Sequence, residues 1–275
     1  MSKSSEATLL RLQERYPLWT VSWNRSFPLS SIKNPVMIEG LPGIGNVGKI
    51  VVDLLIENLP SKKIAEFFSY ELPHTVFVQE TNLVALPKLE LHHARVGKKD
   101  FLFVSGDVQP MTEQSSYQFC DLLLDIFGQW GGKEIITLGG IGLPELPTNP
   151  RLFLTGTNAK DVEAFSKGYP LHKNIYGVVG PIIGVSGILT GLAGKRGVKN
   201  YCILAETLGH QLHLGLVGAR KILAVLSQKY GLKIELSKLD KEIKKFQIHL
   251  KNENQLEQMK GKKGGPGDDT TDYIG

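Results

Sequence analysis

The stretch Gly40–Lys49, GLPGIGNVGK, follows directly on the apolar run Pro35–Ile38 and constrains the fold more than any other segment of the chain. A short apolar strand breaks into closely spaced glycines and then reopens as Val47, Ile50, Val51, Leu54 and Leu55 at helical spacing. That order reads as strand, turn, helix, the first unit of an α/β domain. Gly43, Gly45 and Gly48 spell G-x-G-x-x-G, while Gly43 to Lys49 spells G-x-x-x-x-G-K, so the turn fits both the dinucleotide and the P-loop pattern. Neither fit is complete. Ile50 stands where a P-loop carries the Ser or Thr that holds magnesium, and Glu66 and Glu71 lie within or just past the second strand, where a dinucleotide site needs an acid closing it. The three glycines read as architecture: they let a strand turn sharply into a helix and let that helix lie close to the sheet. Lys49 is then a solvated helix residue. An enzyme that binds a nucleotide, ATP-grasp-like or phosphorylase-like, through Gly43 to Gly48 is the alternative.

From Pro35 onward strand-like and helical runs alternate, which predicts an α/β fold with a mostly parallel central sheet flanked by helices. Val76–Val78 and Leu83–Leu86 flank QETN and predict an antiparallel hairpin, with Leu89–Val96 extending that part. TEQSS predicts a helix start at Thr112. Glu134–Leu138 reads as a strand ending at the turn Gly139–Gly140, and Tyr201–Ala205 as a later one. A strong helix over Leu214–Tyr230 ends at Gly231. After it Leu236, Leu239, Ile243, Phe246 and Leu250 form an apolar seam of two heptads, a candidate contact between copies of the chain. The organisation expected is an N-terminal extension over 1–34, the α/β domain over 35–232, an amphipathic helix over 233–260 and a flexible tail over 261–275.

Composition narrows the function. The 275 residues are 41% hydrophobic and 21% charged, ordinary for a soluble globular protein. The net charge of +5 comes largely from local clusters such as Lys98–Lys99, Lys195–Arg196 and Lys262–Lys263, and reads as solubility. Aromatic residues are not interleaved with basic ones, so nucleic acid is not indicated. No stretch is long and apolar enough to span a membrane, and the N-terminus has no signal-peptide core. Cys120 and Cys202 each sit in an apolar segment, as in a reducing cytoplasm.

Three further motifs have ordinary readings. Ser186 in GVSGI lacks the last glycine of a nucleophile elbow and reads as a helix N-cap. Glu206, His210 and His213 lack the order of a zinc-hydrolase helix, so no metal is expected. Asp107, just past a strand end, suits an Asx-turn before Pro110. No catalytic or cofactor-binding residue is expected.

Four blocks, PVMIEGLPGIGNVGKIVVDLLIENL, SGDVQPMTEQSSYQF, KEIITLGGIG and GVSGILTGLAGKRGVKNYCILAET, resemble in that order the signature blocks of the archaeal branch of the proteasome assembly chaperone two (PAC2) family. The resemblance implies a fold akin to nucleoside phosphorylases, no catalytic activity, and a chaperone that binds proteasome α-subunits or the core particle as a homo-oligomer. It further implies a C-terminal tail with a hydrophobic-Tyr-any ending for pockets of the α-ring. This chain ends Asp272, Tyr273, Ile274, Gly275, which places the tyrosine third from the end and an acid before it.

Overall fold

The computed structural model describes residues 12, 14–210, 213–237 and 239–245. Phe246, Leu250, Tyr273, Ile274 and Gly275, the outer part of the seam and the end of the tail, lie outside the described residues. The chain up to Glu235 is one unit and the remainder a second. In the second unit residues 239–245 are helical, and Leu239 and Ile243 are buried.

In chain order the strands are β1 (Thr20–Trp23), β2 (Val36–Glu39), β3 (Lys62–Phe68), β4 (Phe77–Val78), β5 (Val84–Ala85), β6 (Leu89–Val96) and β7 (Lys99–Gly106). They continue as β8 (Glu134–Leu143), β9 (Leu152–Thr155), β10 (Leu171–His172) and β11 (Lys199–Leu208). The helices are α1 (Val47–Asn58), α2 (Glu113–Gln129), α3 (Ala159–Ser166), α4 (Val185–Lys195) and α5 (Leu216–Tyr230). Nine strands form one sheet in the order β1-β3-β6-β7-β2-β8-β11-β9-β10, and β4 and β5 pair as a separate ribbon. The four central strands, β7, β2, β8 and β11, are parallel. Antiparallel pairings carry the sheet outward through β6, β3 and β1 on one side and β9 on the other. This is the α/β arrangement expected from the sequence.

Every residue of β2 is buried, as a central parallel strand covered on both faces requires. Alternation sends Met37 to the face where α2 and α4 pack together, and Val36 and Ile38 to the face where α1 packs with α5. α1, which follows β2, lies on one face of the sheet, whereas α4, reached after β8 and leading into β11, lies on the other. A crevice therefore opens where the carboxyl ends of β2 and β8 diverge, the usual position for ligands in doubly wound sheets.

Local signals fix the helix ends. Thr112 caps α2 by accepting a hydrogen bond from the Ser115 N–H at 3.2 Å. α1 stops at Leu59, whose N–H still reaches the Leu55 carbonyl at 3.1 Å, because Pro60 cannot continue the ladder. Gly231, at φ 66°, closes α5.

Three expectations are corrected. β8 does not end at Gly139–Gly140 but runs on to Leu143, and β11 runs to Leu208 rather than Ala205; the two stay paired over ten residues. Gly140 is glycine because a Cβ there would lie 2.2 Å from the Ile44 carbonyl oxygen, so the strand passes directly beneath the glycine-rich turn. The segment expected as an N-terminal extension contributes β1 to the main sheet. Trp19 anchors it, with its ring 4.6 Å from that of Phe119 and its indole N–H donating to the Ser115 carbonyl at 3.0 Å. Burying a side chain of that size is worth roughly 2–3 kcal/mol, enough to hold a four-residue edge strand in place.

Candidate functional site

The crevice at the carboxyl ends of β2 and β8 holds a cleft of about 470 Å³. Gly43, Ile44 and Val47 form one wall, Leu138 to Gly142 the floor, and the loop Val178–Ile183 with Ser186 the other wall.

The glycine-rich turn is occupied by the protein's own chain. Gly45 has φ 62° and Asn46 φ 50°, a left-handed pair that reverses the chain before α1 begins. A Cβ on Gly45 would meet Thr207 Cγ2 at 2.8 Å, one on Gly48 the Leu138 carbonyl oxygen at 2.6 Å, and one on Gly40 the Gly48 carbonyl oxygen at 2.2 Å. The Gly215 N–H, at the start of α5, donates to the Gly45 carbonyl at 2.7 Å. Gly43 differs: its backbone is extended, and a Cβ there would find no atom closer than 4.0 Å. Gly40, Gly45 and Gly48 thus sit where a side chain would meet neighbouring atoms, whereas Gly43 has room to spare.

Lys49 is not simply solvated. Its Nζ lies 2.9 Å from Asp53 and 3.9 Å from Asp107, so neighbouring carboxylates already hold the cation that a P-loop would offer to phosphate. With side chains 28% and 36% exposed, the Lys49–Asp53 pair is worth little in water. Lys49→Ala is expected to move the unfolding free energy by less than ~0.5 kcal/mol. Calorimetric titration with ATP and NAD should give the same trace for this variant and the wild type; a nucleotide affinity that the substitution abolishes would restore the phosphate-binding reading.

Behind the cleft sits a group that the sequence reading missed. Glu39, the last residue of β2, is fully buried. Its Oε1 accepts the Leu41 N–H at 3.0 Å and its Oε2 the Ser186 hydroxyl at 2.8 Å. Burial pushes the carboxyl up to about 7, against the smaller opposite pull of those two donors. An acid closing the apolar strand PVMIE was the available signal, because a parallel strand in mid-sheet leaves such a residue no route to water. Ser186 is correspondingly not the N-cap. That position belongs to Gly184, at φ 87°, and Ser186 lies in the first turn of α4 with its hydroxyl on Glu39 and 3.3 Å from the Leu138 carbonyl.

Gln109 ties the two walls together. Its amide donates to the Pro42 carbonyl at 2.5 Å and its Oε1 accepts the Val185 N–H at 2.9 Å, so one side chain joins the glycine-rich loop to the start of α4. The remaining sequence candidates serve structure. Asp107 accepts the Lys88 N–H at 3.0 Å and so secures the entry to β6 rather than an Asx-turn of its own. Arg151 holds Glu206 through its N–H and its guanidinium, both at 2.8 Å, and this keeps the carboxyl below its ordinary range. Both thiols are buried, and burial raises Cys120 well above its usual range and Cys202 to about 12, which leaves them as inert apolar groups.

Fold and cleft together define a class: a doubly wound α/β protein whose switch-point crevice is open, while its glycine-rich turn is filled from within. Residues 37–253 match the PAC2 family, and the chain belongs to that family. It is similar to PbaB of Pyrococcus furiosus, described as an archaeal proteasome activator, with 29% identity, 86% of this chain and 98% of that chain covered, and a TM-score of 0.77. It also resembles Pyrococcus furiosus PbaA, an archaeal homologue of proteasome-assembly chaperone, at 22% identity over 89% of this chain and 95% of that one, with a TM-score of 0.69. An uncharacterised protein of Methanocaldococcus jannaschii is 24% identical over 90% of this chain and 95% of its own length.

Proposed function

We propose that this protein is a cytoplasmic assembly-chaperone-like factor that binds proteasome α-subunits or the core particle as a homo-oligomer and catalyses no reaction. The observation that carries the reading is the likeness to PbaB over nearly the whole of that chain, within a shared family. The filled glycine turn and the engaged Lys49 support it over nucleotide chemistry, since they leave no open phosphate cradle at the turn.

Tyr273, Ile274 and Gly275 are the proposed docking element, an apolar pair that follows a glycine-rich segment. For contact between copies the seam Leu236, Leu239, Ile243, Phe246 and Leu250 is the proposed element. Among its described members Leu239 and Ile243 are buried and Leu236 is half-buried.

Capture of purified archaeal proteasome core particles by the tagged full-length chain tests the reading directly, and absence of capture would overturn it. Deleting Tyr273 to Gly275 is expected to weaken capture while leaving the unfolding midpoint and the mass by light scattering unchanged. Equal capture by the truncated chain would move the binding surface to the folded body.

A further inference from the structure

Six lysines that look dispersed along the sequence converge at one end of the fold. A single register row crosses six strands, from Lys62 of β3 through His93, Leu102, Met37 and Ile135 to Asn200 of β11. Lysines border this row on the side where the parallel strands begin. Lys62 lies in it, Lys98 sits in the turn before β7 and Lys99 opens that strand, Lys33 precedes β2, Lys133 precedes β8 and Lys199 opens β11. All six are exposed. Five inter-strand steps of about 4.8 Å make the stripe roughly 24 Å long. From Lys98 and Lys99 across Lys33 and Lys133 to Lys199 the lysines belong to adjacent strands, about 4.8 Å apart across the sheet, so their potentials add at physiological salt.

Local acids do not cancel this charge. Asp100 is buried and already bound by His93 at 2.8 Å and Arg95 at 2.7 Å. Glu134, which accepts the Tyr230 hydroxyl, offsets one lysine of the six, so the stripe stays net positive. Of the six lysines only Lys199 has a carboxylate partner among the described residues, Asp161 at 4.0 Å.

We infer that this edge is a docking surface for an acidic face of a partner protein. The cations point to protein rather than nucleic acid. All six are lysines, which act as point charges without the bidentate fork suited to phosphate, while nearby Arg95 and Arg196 are committed to Asp100 and to Asp121 and Asp125. The rings beside the stripe are held by the protein itself: Tyr230 lies beneath Lys99 at 5.0 Å, Trp130 packs edge-on against Trp23 at 6.1 Å and Phe27 packs against His93 at 5.2 Å, so none is presented flat to stack on a base. The inference does not depend on the proteasome reading, and its probe contains no proteasome component.

The test is binding of the full chain to poly-L-glutamate, followed by fluorescence anisotropy from 50 to 200 mM salt, with a duplex DNA as the competing probe. The expected result is an affinity for poly-L-glutamate that falls with salt and weakens about tenfold or more in Lys98→Glu/Lys133→Glu. An equal change of charge in Lys88→Glu/Lys173→Glu, away from the stripe, should alter it by less than about twofold, since screening confines the effect to nearby charges. Lys98→Gln/Lys133→Gln provides the same reading should the reversed pair fail to fold. Equal weakening by the distant pair would show diffuse net charge and overturn the surface. Tighter binding of the duplex at matched salt would overturn the choice of partner, and no binding of poly-L-glutamate would overturn both.

Discussion

Gly48→Val is expected to destabilise the protein by about 3 kcal/mol or more, or to prevent folding, whereas Gly43→Ala, five residues earlier in the cleft wall, should cost less than ~0.5 kcal/mol. The contrast follows from what each new side chain would meet. At Gly48 a Cβ would stand 2.6 Å from the Leu138 carbonyl oxygen and 3.2 Å from Gly40 Cα, both backbone atoms of the central sheet and its adjoining loop. Neither can yield unless α1 lifts from the sheet, and that would uncover Val47, Val51, Val52 and Leu55. At Gly43 nothing lies within that range and the backbone is extended, which any residue adopts. Gly45→Val should rank near Gly48→Val, because it combines a positive φ with contact against Thr207. Urea unfolding midpoints of the three variants, compared at equal m-values, give the ranking. A wild-type midpoint for Gly48→Val would mean that α1 does not rest on β8 as described.

The second large effect is a dependence on pH carried by Glu39. In the folded state its carboxyl is raised from 4.5 to about 7 by burial. Below the unfolded value the group is protonated in both states and costs nothing. As pH rises from about 4.5 the unfolded chain gains by ionising while the folded one stays protonated. Stability is therefore lost progressively until about pH 7, and beyond that the loss is constant. The full effect is about 3 kcal/mol at 1.36 kcal/mol per unit. Glu39→Gln removes the titration and keeps the shape: its carbonyl can accept the Leu41 N–H, and its amide can donate to Ser186, whose own proton can then turn to the Leu138 carbonyl. Relative to the wild type the variant should gain about 3 kcal/mol between pH 4 and pH 8, measured as the difference between two denaturation series so that other titrating groups cancel. A difference that stays flat across that range would show that Glu39 is ionised in the fold at no cost.

These two residues also mark how far the sequence could be read. The strand, turn and helix over 36–58, the start of α2 at Thr112 and the close of α5 at Gly231 rest on local chemistry: apolar period, a capping hydroxyl, a residue free to take positive φ. Such signals act within a few residues and survive in a single chain of letters. β8 escaped the same reading because Gly139 and Gly140 look like a turn until Ile44, nearly a hundred residues earlier, is seen to press on the strand. Ser186 looked like a cap because Glu39, 147 positions away, is invisible at close range.

By itself, then, the sequence determined the α/β class and the alternation of strands and helices from Val36 onward, since these depend on neighbours along the chain. Tertiary structure alone decided that Gly43 is dispensable where Gly45 and Gly48 are not, that a carboxyl is shut beneath the cleft, and that scattered lysines share one edge. Each of those depends on which strand lies beside which. That order is set by crossovers between distant segments, whose cost and gain are counted over the whole sheet and not within any one stretch.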